Sequence, residues 1–221
     1  MKKNIVLALE TGVGGGSISL FRNGKEIGFW KGEAKFSRAE DLLIQISALL
    51  RINNIRPKEI RIIFVSKGPG SFTGLRIGTA TAKGLQKSLN CECYGINILE
   101  AMLLKSPAEG IVVAAVSSGR EQVWQQIFKV ESSCEIIAEI LPSSFRLKNL
   151  IANIENIDVS ILLLEGDLFE KARQTIPDFD TGKLRCIKID EPLSRFIGLK
   201  GIQSSVHEEV FPICYRDERE N

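Results

Sequence analysis

Residues 68–78, Gly-Pro-Gly-Ser-Phe-Thr-Gly-Leu-Arg-Ile-Gly, constrain this chain more than any other stretch. The β-branched and aromatic run before them, 61–66, reads as a strand. Pro69 and the flanking Gly68 and Gly70 impose a turn. Ser71 and Thr73 are placed to cap a helix over about 72–89. Such a turn presents backbone N–H groups and the positive end of a helix dipole, although a tight strand-to-helix connection is its commoner use. At about 100° per residue, Gly74, Leu75, Gly78, Ala82, Leu85 and Leu89 share one face of that helix. Gly74, Gly78 and Ala82 lie four apart and form a ridge of nearly bare backbone. Glycine inside a helix costs about 1 kcal/mol relative to alanine. Three of them (Gly74, Gly78, Gly84) therefore signal close approach by another backbone. Two occupants are open: a partner's helix, at the near end of the usual spacing of about 8–10 Å, or the chain's own sheet. The first reading is the expectation adopted, and it puts Gly74, Gly78, Ala82 and Leu85 in a partner interface. Arg76, Lys83 and Lys87 lie on the other side.

The flanking chain supports an α/β fold. An apolar run at 4–9 ends in Glu10-Thr11-Gly12, then strands at 17–21 and 26–32 enclose an Asn23-Gly24 turn. That is an antiparallel meander with an acid at the tip of its first strand. Ser37 and Glu40 form a capping box for a helix to about 53. Its core stripe is Ala39, Leu42, Leu43, Ile46, Leu49 and Leu50, and Ile44, Ala48 and Ile52 make an opposed stripe. A helix apolar on two sides is either sandwiched within its domain or touches another chain, so Ile44, Ala48 and Ile52 join the expected interface. A strand at 93–96 and a short helix at 98–105 follow, and residues 106–110 are the best boundary, giving lobes 1–107 and 108–221. The second half restarts with a strand at 110–116, then Ser117-Ser118-Gly119, and strands at 122–130 and 134–141. A helix from Pro142-Ser143 to about 154, a strand at 159–164, a helix at 166–175, a strand at 185–189 and a helix at 192–203 complete it. Both halves read strand, strand, strand, helix, strand, helix, a duplication in pattern rather than identity.

Composition excludes several classes. With 44% hydrophobic and 25% charged residues among 221, this is an ordinary globular chain. A net charge of +2 is low for a protein that grips RNA alone. The apolar runs at 111–116 and 161–164 fall far short of the roughly 18 residues of a membrane span. Glu10 interrupts the N-terminal apolar run, so no signal peptide is expected and a cytoplasmic location is. The five cysteines, Cys91, Cys93, Cys134, Cys186 and Cys214, read as reduced thiols packed as small hydrophobes. A zinc protease needs about three protein ligands, and the single histidine, His207, cannot supply them; no metal site is expected. His207 is also the one imidazole base open to Ser71, with nothing local linking them.

Two lobes that each open with a meander and then alternate strand and helix resemble the actin, hexokinase and Hsp70 superfamily, the ASKHA or ribonuclease H-like fold. The signature loop (Gly68, Pro69, Gly70, Ser71, Phe72, Thr73, Gly74, Arg76) resembles that of the TsaB (YeaZ) family. Leu9-Glu10-Thr11, the run from Arg38 to Leu43, and the run from Val210 to Arg216 resemble weaker landmarks of that family. The resemblance implies a non-catalytic, cofactor-free scaffold in making threonylcarbamoyladenosine at position 37 of tRNAs reading A-starting codons. It implies pairing with a TsaD transferase subunit through the two N-lobe helices, a TsaE ATPase joining the pair, a homodimer when alone, and tRNA met through the complex. The chain departs from the family pattern at Glu10, usually aspartate, at Arg38, often histidine, and at Ser117, Ser118 and Gly119, usually Asp-Ala-Arg. The alternative is a nucleotide-binding ATPase or kinase of the same superfamily. Such enzymes hold Mg²⁺ and phosphates with an acid from each lobe. Here Glu10 and Thr11 offer a vestigial nucleotide site in the first lobe, and Ser117, Ser118 and Gly119 offer no acid in the second. Gly166-Asp167 reads as a helix cap.

Overall fold

The computed structural model describes residues 4–33, 41–106, 109–118, 121–131, 135–176, 179, 184–204, 208 and 210. The capping box at Ser37 and Glu40, Arg38, Gly119, His207, Cys134 and most of the run 210–216 lie outside them.

The chain forms two compact units, Met1–Ala101 together with the stretch from Glu191, and Met102–Asp190. In the first, β1 (Ile5–Glu10), β2 (Ser17–Arg22) and β3 (Lys25–Lys31) form the expected meander. Asn23 and Gly24 make its turn, both at positive φ. Helix α1 (Asp41–Ile52) leads to β4 (Ile60–Gly68), α2 (Phe72–Leu89) and β5 (Glu92–Asn97), and then α3 (Ile98–Met102). The sheet order is β3-β2-β1-β4-β5, with β4 parallel to both β1 and β5. Ile5, Leu7 and Leu9 alternate onto one sheet face, where Leu42, Ile46, Leu49 and Leu50 of α1 and Ala82 of α2 close the core.

The second unit repeats the plan with β6 (Gly110–Ser117), β7 (Gln122–Glu131), β8 (Glu135–Arg146), β9 (Val159–Glu165), α4 (Gly166–Thr175) and β10 (Cys186–Ile189). Its order, β10-β9-β6-β7-β8, is the first sheet's order in duplicate. The pattern differs at one place. The helix expected over 143–154 is absent: β8 runs on to Arg146 because Ser144 and Phe145 pair with Trp124 and Val123. Two short 3₁₀ turns, Leu147–Asn149 and Ala152–Ile154, then bury Leu147, Leu150 and Ile154. The helical spacing of those three apolar residues survives, without the helix.

The last helix, α5 (Leu193–Gln203), groups with the first unit, whereas a division at residue 107 puts it in the second. It packs on β1, β2 and β4, on the sheet face opposite α1 and α2. Gly198 and Gly201 permit this approach, because a Cβ at either would run into the rings of Phe21 and Phe64 respectively. At its N-terminus Ser194 N–H donates to Ser17 Oγ at 3.0 Å, and the Ser194 and Ser19 hydroxyls share a 2.8 Å hydrogen bond.

Candidate partner interface and the junction of β1 with α2

The tip of β1 and the start of α2 are laced together. Ser71 N–H donates to the Gly12 carbonyl at 2.8 Å, and Thr11 Oγ1 donates to the Gly74 carbonyl at 2.8 Å. Ser71 Oγ caps α2 by accepting from Gly74 N–H. Gly12 N–H in turn donates to Glu10 Oε1 at 2.6 Å, which folds the buried Glu10 carboxylate back onto its own turn. Three glycines of the signature loop owe their identity to this lacing. A Cβ at Gly70 would lie 2.8 Å from the Gly12 carbonyl oxygen. One at Gly74 would collide with the Thr11 carbonyl, and one at Gly78 with Thr11 Oγ1.

The ridge expected to meet a partner is therefore filled by this chain. Gly78 and Ala82 are buried, Leu85 packs on the core cluster, and Gly74 rests on Thr11. The close neighbour that the glycines call for is Thr11 and Gly12, the turn that leaves β1 in the sheet that α2 covers. Gly78 and Ala82 are accordingly buried within this chain, and Gly74 and Leu85 are half-buried. Gly84, on the other side of α2, is exposed, and a Cβ there meets nothing within 4 Å.

The α1 stripe lies differently. Ile44 is 62% exposed and Ile52 74%, with Ala48 half-buried between them. Leu43, placed in the core stripe by periodicity, is 53% exposed and extends the outward apolar strip. On α2, Phe72 is 46% exposed and carries the Arg76 guanidinium 3.7 Å above its ring. Ala80 and Gly84 continue that outer face as small, exposed residues. The wheel gave Arg76, Lys83 and Lys87 to this side, while the exposed Phe72 carries no signal in a pattern that treats every aromatic as core.

In the second unit, Ser118 N–H pairs with the Gln122 carbonyl and Ser118 Oγ accepts from Trp124 Nε1, a turn held by its own groups. Glu165 at the tip of β9 caps α4, accepting from Asp167 and Leu168 N–H at 3.0 and 3.2 Å. Burial pushes the Glu165 carboxyl above its ordinary value, opposed by these two N–H donors. The acid missing at Ser117 and Ser118 thus has a neighbour one strand away, engaged as a cap. Gly166 and Asp167 form the first turn that Glu165 caps. Among the described residues no group of three or more His, Cys, Asp or Glu could hold a metal ion, and no helix is long and apolar enough to cross a membrane.

A family model described as TsaD, tRNA N6-adenosine threonylcarbamoyltransferase, matches residues 32–152, more than half of the chain. The chain belongs to this family. Its affinities within it are with TsaB (YeaZ). It is 39% identical over 85 residues to the tRNA threonylcarbamoyladenosine biosynthesis protein TsaB of Buchnera aphidicola subsp. Baizongia pistaciae, covering 38% of each chain. It is 24% identical over 164 residues to the TsaB of Bacillus subtilis strain 168, covering 73% of this chain and 71% of that one. The chain thus spans between about four-tenths and seven-tenths of these relatives' lengths. A solved Pseudomonas aeruginosa structure, described as an uncharacterized protein with similarity to peptidase YEAZ, superposes with a TM-score of 0.64 at 17% identity. That match covers 95% of this chain and 100% of the other, and it establishes the shared α/β fold.

Proposed function

We propose that this chain is a non-catalytic dimerisation and scaffold subunit in the synthesis of N6-threonylcarbamoyladenosine on tRNA. It pairs with a TsaD-type transferase subunit, and alone it forms a homodimer; a TsaE-type ATPase joins the pair, and tRNA is met through the assembly. One observation carries the reading: a family member of this kind exposes Leu43, Ile44 and Ile52 on α1 and Phe72 on α2. Single exposed apolar residues are ordinary, whereas three on one helix, with Phe72, Ala80 and Gly84 exposed on the next, support an interaction surface. The non-catalytic part draws support from how the carboxylates at the strand tips are engaged. Glu10 accepts from its own turn and Glu165 caps its own helix, so each is satisfied by the fold.

Ile44→Asp and Gly84→Leu test the pairing at two exposed positions. The variants are expected to melt like the wild-type monomer, and to lose both self-association by light scattering and co-purification with the transferase subunit. Retained pairing in both overturns the helix interface. For the chemistry, the isolated protein is expected to show no ATP hydrolysis above background. A steady-state rate abolished by Glu10→Ala would instead establish a nucleotide-hydrolysing enzyme.

A further inference from the structure

The outer faces of α1 and α2 carry charge of one sign. Along its 18 residues α2 has Arg76, Lys83 and Lys87 and no acid. At about 100° per residue, Phe72, Arg76, Ala80, Lys83, Gly84 and Lys87 fall within a sector of about 120°, and all six are exposed. On α1, Arg51 follows Ile44 by seven positions and Ala48 by three, so it shares their outward stripe, and it too is exposed. Asp41, in the first turn of α1, is the single acid of the two helices. Glu92, which lines a groove with Lys83, accepts from the Tyr94 hydroxyl. Setting both acids against the four cations leaves an excess of two positive charges. Among the described residues no ion pair takes up Arg51, Arg76 or Lys87. The same two helices expose Leu43, Ile44, Ile52 and Phe72.

We propose that this face selects a protein partner whose own pairing surface is apolar and acidic, in preference to a second copy of this chain. The proposal rests on the pairing function proposed above and supplies the chemistry of the partner. Two identical chains related by a two-fold axis present the same patch to each other. Arg51, Arg76, Lys83 and Lys87 of one copy then meet the same four of the other, and like charges brought together across an interface oppose association. Acidic side chains on a different protein remove that repulsion and add attraction beside the apolar contact of Ile44, Ile52 and Phe72. The apolar residues also decide between protein and nucleic acid. A phosphate backbone is gripped by cations, and a net charge of +2 is low for that use.

The full chain is tested at about 50 and about 500 mM NaCl, between which the screening length changes about threefold. Sedimentation velocity of the protein alone is expected to show self-association that tightens as salt rises. Titration calorimetry with the transferase subunit is expected to show an affinity that falls about tenfold over the same range. Arg76→Glu combined with Lys87→Glu is expected to weaken transferase binding about tenfold at low salt. Mixed with wild-type chain, that variant is expected to give mixed dimers above their statistical share in native mass spectrometry. Should the variant melt below the wild-type monomer, the salt series on the unaltered chain decides. Transferase binding unmoved by salt and by the double reversal overturns the acidic partner and leaves the pairing function standing. A transferase subunit that the wild-type chain does not bind overturns the pairing function; mixed dimers above the statistical share then uphold the charge selection, and a statistical share overturns it as well. Binding of a tRNA transcript that the double reversal abolishes, with protein pairing unmoved, overturns the proposal in favour of RNA.

Discussion

Gly78→Ala tests whether α2 is seated on β1 by the absence of side chains. In an exposed helix the change is favourable by about 1 kcal/mol, because alanine is the better helix former. At Gly78 the new methyl lands on Thr11 Oγ1, inside the 3.0 Å that real Cβ atoms respect. Thr11 cannot turn away freely, since that hydroxyl donates to the Gly74 carbonyl at 2.8 Å. Forcing the methyl in costs about 1–3 kcal/mol of overpacking, and breaking the hydrogen bond adds about 1 kcal/mol. The net expectation is destabilisation by about 1–3 kcal/mol, or about 2–4 °C of melting temperature per kcal/mol for a chain of this size. Gly84→Ala is the matched control, because the same substitution in the same helix meets open space. It should stabilise by about 1 kcal/mol. Urea unfolding at concentrations where the chain is monomeric gives both values. Adding Thr11→Ala to Gly78→Ala should recover about 1 kcal/mol relative to additivity, as contacting residues couple. The reasoning is refuted if Gly78→Ala is as stable as wild type, or if the double variant is strictly additive.

Two further outcomes follow from the same kind of geometry. Gly198→Ala should destabilise by about 1–3 kcal/mol, since its Cβ collides with the Phe21 ring and lies 3.1 Å from Ala8 Cβ; a thermal melt unchanged from wild type would show that α5 is not seated on β1 and β2. Glu165 sets a pH dependence. Its carboxyl titrates near the ordinary 4.5 when unfolded and higher when folded, because burial penalises the charge. The folded state therefore holds the proton to higher pH, and stability falls as pH rises from about 4.5 toward the folded value. Glu165→Gln removes that fall, so the variant should gain on wild type across this window in pH-dependent urea titrations, and parallel profiles would contradict it.

The sequence was most legible where one physical rule acted alone. The start of α2 follows from Ser71 as cap, which the structure keeps, and Asn90 in the left-handed conformation ends the helix where the spacing placed its end. The duplicated succession of strands was readable from segments that alternate or run apolar, each bounded by glycine or a polar turn. Two readings needed information that periodicity does not hold. A ridge of Gly74, Gly78 and Ala82 states that a backbone comes close, without saying whose; the hydroxyl and carbonyl of Thr11 decide it. Likewise nothing local tells α5 that its sheet is the first one. Gly198 and Gly201, three apart, were a usable signal, since they cut the hollow that Phe21 and Phe64 fill from the other end of the chain. The helix expected over 143–154 failed because cross-strand pairing of Ser144 and Phe145 with β7 outweighed the helical spacing of Leu147, Leu150 and Ile154.

The two units share a plan, and they differ in the outer surfaces of their helices. Between its third and fourth strands the first unit keeps α1, a helix with one face in the core and Leu43, Ile44 and Ile52 outside. At the same place the second unit has two 3₁₀ turns whose apolar residues Leu147, Leu150 and Ile154 are buried, with the polar Lys148 and Asn149 exposed. The next helices contrast less sharply. Outward α2 carries Phe72, Ala80 and Gly84 together with Arg76, Lys83 and Lys87, whereas outward α4 carries Asp167, Glu170, Lys171, Arg173 and Gln174. Charged side chains lose their hydration in an interface and so disfavour one, while small residues let helix axes come close. A duplicated fold would present two equivalent helix pairs had both been retained. Here one copy has apolar and small residues among the charges of its outer helix surface, and the other has charged and polar ones alone on α4, so the scaffold reading assigns the partner to the first unit.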